Sequence, residues 1–161
     1  MPGAGHPIKI RLEILAWISV GVFLGLGAYT FQYAEGPSYL SSDPRACINC
    51  HVMWDKYTSW QQGSHARAAT CNDCHVPHSF PEKYLTKMEN GWNHSVKFTL
   101  QSYDTPIRIR PENLERVHAN CVYCHGAQID RKEDHPVKST DGARCTDCHT
   151  AIGHAVPEGG T

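Results

Sequence analysis

Four copies of Cys-x-x-Cys-His punctuate this 161-residue chain and use all eight of its cysteines. They are Cys47, Cys50 and His51; Cys71, Cys74 and His75; Cys121, Cys124 and His125; Cys145, Cys148 and His149. Two thiols at this spacing can add to the two vinyl groups of one porphyrin while the next imidazole reaches the iron beneath it. The pattern predicts four covalently bound haem c groups and, with them, electron transfer. Zinc ribbons and thioredoxin-like sites also use Cys-x-x-Cys, but neither needs the trailing histidine. A disulfide scaffold would have to break up each adjacent pair to staple distant segments.

The rest of the chain offers little else to fold around. Ten prolines and thirteen glycines accompany scattered apolar residues, which is a poor basis for a protein core of this size. Porphyrins would supply the missing apolar surface. The fold expected is therefore mainly α with long loops wrapped around haems, and an apo-chain that does not fold. A formal charge of −1 gives no basic field for nucleic acid and no acidic tail.

Ile14 to Ala34 is an uncharged run (ILAWISVGVFLGLGAYTFQYA), and about 21 residues at about 1.5 Å each match a hydrocarbon core about 30 Å thick. A single transmembrane helix over 14–34 is expected. Lys9 and Arg11 precede it and Trp17, Phe31 and Tyr33 lie toward its ends, so residues 1–13 are expected in the cytoplasm and 35–161 in the periplasm. A cleaved signal peptide is the competing reading, but the run exceeds an h-region of about 7–15 residues and no A-x-A site ends it. Gly21 and Gly25 form one GxxxG match, a weak sign of helix pairing.

The motifs repeat in pairs, since Cys47 to Cys71 and Cys121 to Cys145 are each separated by 24 residues. Two di-haem units follow, at about 45–80 and 118–157, with a helical insert at about 81–101 in which Gly91 is a weak point. Four irons present up to eight axial positions, and motif histidines such as His75, His125 and His149 fill one each. Seven other histidines remain. His6 lies beyond the anchor. The repeat singles out His65 and His135 between motifs and His78 and His154 just after them, with His65, His135 and His154 preferred over His78, His94 and His118. The first motif continues as CINCHVM, placing the soft thioether of Met53 two residues after His51.

CINCHVMWDKYTSW, SHARAATCNDCHVPH, KYLTKMENGWNHSVKFT and CTDCHTAIGHAVP, behind a single anchor, resemble the NapC/NirT family of quinol dehydrogenases. The resemblance is to the branch that forms the small membrane subunit of cytochrome c nitrite reductase complexes. It implies that menaquinol at the outer membrane face gives its electrons near haem 1, and that they pass to a catalytic pentahaem nitrite reductase subunit. It implies that Met53 rather than His51 binds the iron of haem 1, that Lys83 serves quinol oxidation, and that Asn90 stands where the family has an aspartate. An amide takes no proton as a carboxylate does, so either Glu89 substitutes or the distal group only orients and blocks. Haem 2, on Cys71 and Cys74, is implied to draw its second ligand from a lysine of the partner.

Membrane lipid and menaquinol are thus expected partners, with no nucleic acid, and a homo-oligomer within the complex stays open. Two other functions fit the same motifs. The quinol dehydrogenase would serve another periplasmic reductase, or the chain would be a tethered electron carrier with no quinol site and four saturated haems. Nitrite reduction by the chain itself is not expected, because no Cys-x-x-Cys-Lys motif occurs and little room is left for a substrate cavity.

Overall fold

The computed structural model describes residues 6–138 and 143–154. The first five residues of the expected cytoplasmic segment and the close of the second di-haem unit at 155–157 lie outside them. Two compact units make up the chain, Met1–Ser38 and Tyr39–Thr161.

The first unit is built on α1 (His6–Tyr33), whose segment Ile8–Tyr33 is long and apolar enough to cross a membrane. The helix begins before the uncharged run because Lys9, Arg11 and Glu13 are ordinary helix residues that extend it backward. Apolar residues occupy its whole circumference and no part of its apolar window is buried within the protein, as suits a helix surrounded by lipid. The hydroxyl of Ser19 donates to the carbonyl of Leu15 at 2.8 Å, so this polar group is satisfied inside the helix. Glu35 closes the helix in the left-handed region at φ 55°.

The second unit contains α2 (Trp54–Gln61), α3 (Cys71–His75), α4 (Glu82–Thr99), α5 (Pro111–Asp130) and α6 (Cys145–Cys148), with short 3-10 turns at Pro44–Asn49, His51–Met53 and Pro136–Lys138; the 3-10 turn Gly36–Leu40 includes the last residues of the first unit. No strand occurs among the described residues. The four haem motifs are built in three ways. CNDCH and CTDCH carry an aspartate before the second cysteine, and each reaches back to open a short helix. Asp73 accepts from the backbone of Thr70 at 2.7 Å, and Asp147 accepts from that of Arg144 at 2.9 Å. These are capping boxes. CVYCH lies within α5, a 20-residue helix started by Pro111 at a position where the missing N–H costs nothing. CINCH begins inside the 3-10 turn Pro44–Asn49, which is capped by Asp43, whose carboxylate accepts from the Arg45 N–H at 2.9 Å.

Almost nothing apolar is buried. Val76 is the single buried hydrophobic residue among those described, at 5% exposure, and its buried companions are Thr86, Lys87 and Asn120. α3 packs chiefly on α5, and the Asn120 amide fixes the contact, donating to the carbonyls of Cys74 and Val76 at 2.9 Å each. Lys87 does the same for the segment after the anchor, donating to the carbonyl of Ser41 at 2.7 Å. Gly91 does not break α4; the Tyr39 ring lies so close that an added Cβ would meet it at 3.4 Å. α4 ends with Gln101 at φ 53°, where the amides of Ser102 and Gln101 reach back to the carbonyls of Lys97 and Phe98, a Schellman closure made without glycine.

Candidate haem-binding cavity

The space that a core would fill is a cavity of about 970 Å³ in the second unit, with a largely apolar wall. Cysteines of all four motifs line it, namely Cys50, Cys74, Cys121 and Cys145. A smaller cavity of about 60 Å³ lies between Cys145, Cys148, His149 and His135. The thiol of Cys47 is in hydrogen-bonding contact with Cys71, and that of Cys121 with Cys145, so the first cysteines adjoin within each 24-residue repeat. Burial raises the Cys121 thiol to about 11; attachment as a thioether would abolish that titration.

The imidazoles cross between the repeats. His65 stands with its ring centre 6.0 Å from that of His125, and His154 stands 6.0 Å from His75. Two imidazoles on one metal, each about 2 Å from it through nitrogen, have ring centres roughly 6 Å apart. Burial, and then the nearby His154, push the His75 imidazole down to about 4, so it is neutral and ready to ligate. His154 is also held down, first by burial. Its Nδ1 lies 2.9 Å from the carbonyl of Lys56, which fixes the proton on Nδ1 and frees Nε2 for a metal. His135 and His149 line both cavities.

The remaining histidines are engaged elsewhere. His118 accepts at Nδ1 from the backbone N–H of Cys145 at 3.3 Å, supplying a partner to an otherwise free donor at the start of α6. His78 stacks on Tyr123 at 4.4 Å. His94 lines the large cavity, but its Nδ1 is 3.2 Å from the Tyr39 hydroxyl, and burial followed by the charges of Arg110 and Lys97 keeps it neutral. At the first motif Met53 lines the cavity, whereas His51 is exposed and does not.

Of the three residues expected to serve quinol, Asn90 lines the cavity, while Lys83 and Glu89 do not. Lys83 is half-buried and acts electrostatically on Asp73. Glu89 is clasped by two guanidinium groups, Arg116 at 2.7 Å and Arg110 at 3.0 Å. The Arg116 bond, against burial and with help from Arg110, holds its carboxyl below the usual range. The Asn90 oxygen accepts from Asn113 at 3.0 Å, and Arg116 donates to Asn113 at 2.6 Å. Sequence reasoning missed Arg110, Asn113 and Arg116. Their spacing at i, i+3 and i+6 around the start of α5 was the available signal, because such residues lie close to one helix face.

Haem c fits these residues. Thiols of every motif face a common apolar space, imidazoles meet in pairs across it, and Arg110 brings a buried Nη1 with no hydrogen-bond partner to its wall. A guanidinium left in that state suits a propionate carboxylate. Cavity and motifs together define a c-type cytochrome whose prosthetic groups replace its core. The chain belongs to the NapC/NirT cytochrome c family, whose N-terminal region it matches over residues 8–159. It is 41% identical over 158 residues to the cytochrome c-type protein NrfH of Wolinella succinogenes, covering 89% of this chain and 88% of that one. It is 30% identical over 150 residues to the cytochrome c nitrite reductase subunit NrfH of Nitratidesulfovibrio vulgaris, covering 92% and 86%. A chain in the crystal structure of a cytochrome c nitrite reductase NrfHA complex bound to the HQNO inhibitor superposes with a TM-score of 0.60 at 27% identity. That match covers 86% of this chain and 90% of the other.

Proposed function

We propose that this chain is a single-pass quinol dehydrogenase of the inner membrane that carries four haems c, oxidises menaquinol, and passes the electrons to a pentahaem nitrite reductase subunit. Similarity along almost the whole of two NrfH proteins supports the partner. One observation carries the quinol step: at the motif that follows the anchor in the sequence, Met53 replaces the histidine at the cavity wall. One haem site therefore differs from the other three, which favours a quinol dehydrogenase over a carrier with four saturated haems.

Haem c supplies one-electron redox chemistry when bound. Cys47 and Cys50, Cys71 and Cys74, Cys121 and Cys124, and Cys145 and Cys148 hold it covalently. His75 with His154 and His125 with His65 would hold iron in pairs, and His149 would do so with His135. His154 thus takes the role at haem 2 that the family resemblance gave to a lysine of the partner. Asn90 and Lys83 are assigned to the quinol. Glu89 is not the proton acceptor in this reading, because a carboxylate held by two guanidinium groups is a weak base. Residues 1–13 remain in the cytoplasm and the haem unit lies in the periplasm, following the positive-inside bias.

The test is reduction of the haem-loaded protein in lipid nanodiscs by a menaquinol analogue, alone and with the pentahaem subunit and nitrite. Haem reduction followed by ammonium formation is expected. A protein that no naphthoquinol reduces, alone or in the complex, is a tethered carrier instead.

A further inference from the structure

The hydrogen bonds that run from Glu89 to Asn90 have a fixed sense. A guanidinium has donors only, so the 2.6 Å bond from Arg116 Nη1 must fall on the amide oxygen of Asn113. Asn113 therefore turns its NH2 group to Asn90 and donates from Nδ2 to Oδ1 at 3.0 Å. This leaves Asn90 with its oxygen occupied and its own NH2 group bonded to no other described residue. Both asparagines line the large cavity. Arg116 cannot swing away without breaking its second bond, from Nη2 to Glu89 Oε2 at 2.7 Å. Glu89 is held in turn by Arg110, at 3.0 Å from Oε1.

We infer that Arg116 and Asn113 are positioning residues that set the Asn90 amide as a hydrogen-bond donor into the cavity, where it serves an oxygen of the bound quinone. The inference rests on the quinol-dehydrogenase reading above. A quinone oxygen accepts only, whereas a quinol hydroxyl both donates and accepts. An amide held in this sense binds both redox forms. With its oxygen turned outward it would bind only the quinol.

Asn113→Asp reverses the sense without removing the partner of Arg116. The new carboxylate still accepts from the guanidinium but has no proton to give, so Asn90 turns over, donates to it, and presents its oxygen to the cavity. In haem-loaded full-length protein in nanodiscs, anaerobic equilibrium titration with 2,3-dimethyl-1,4-naphthoquinone should show affinity falling roughly five- to tenfold, the worth of one hydrogen bond. Affinity for the corresponding quinol should hold within about twofold. Asn90→Asp tests the same point with Asn113 and Arg116 intact. It should show the same quinone-selective loss at neutral pH, and regain quinone binding as acid restores a proton to the carboxyl. A wild type that oxidises quinol, with variants whose quinone-to-quinol affinity ratio is unchanged or whose two affinities fall together, overturns the inference alone. A wild type that neither binds nor oxidises naphthoquinol overturns the quinol reading and this inference with it.

Discussion

Asn120→Leu is expected to loosen the joint between the second and third haem motifs. The Asn120 side chain is 7% exposed and donates two bonds of 2.9 Å, to the carbonyls of Cys74 and Val76. Leucine has a similar volume and no donor. The buried carbonyl of Val76 and the half-buried one of Cys74 then lose this partner, at about 1–2 kcal/mol each, so the loss is about 2–4 kcal/mol. For a chain of this size about 3 °C accompanies each kcal/mol, so the melting temperature should fall by about 6–12 °C. The assay is thermal unfolding of the haem-loaded protein in detergent, followed by circular dichroism and the Soret band, with haem content checked by mass. Asn120→Asp keeps the shape but sets carboxylate oxygens against carbonyl oxygens, and should fall at least as far at neutral pH. If either variant melts within a degree or two of the wild type at full haem content, Asn120 does not hold α3 on α5 and the reasoning fails.

Denatured protein should exceed its 18.0 kDa polypeptide mass by four haems; a smaller increment would remove the central assignment. Met53→Ala should alter the spectrum of one haem, and His154→Ala should turn a different haem high-spin; coincident changes in both variants would refute the assigned ligands. Lys83→Ala should slow reduction by a menaquinol analogue by up to about a hundredfold while dithionite reduction and haem count stay unchanged; wild-type quinol kinetics would release Lys83 from that role. The Glu89 carboxyl is depressed by its guanidinium partners, so its stabilisation is present above the ordinary carboxylate range and is lost as pH falls through the depressed value. Glu89→Gln should therefore be less stable than the wild type at neutral pH, with the gap closing in acid; a gap independent of pH in denaturant titrations would contradict the ion pairs.

The sequence alone was enough wherever the chemistry is local. Thioether attachment needs two cysteines and a histidine within five residues, and a membrane span needs one continuous apolar run, so both are legible without a fold. The capping aspartates of CNDCH and CTDCH are legible for the same reason, since Asp73 and Asp147 reach only three residues back. The 24-residue repeat pointed to the pairs whose first cysteines adjoin. It did not tell which imidazoles face each other, because His65 with His125 and His75 with His154 meet across the two repeats. That pairing depends on how α3 is fixed against α5, a contact that the buried Asn120 amide helps to set. The same limit hid the clasp on Glu89 and the sense of the Asn90 amide. Hydrogen-bond direction follows from the donor-only guanidinium of Arg116, and only the packing of α4 beside the start of α5 brought that group within reach.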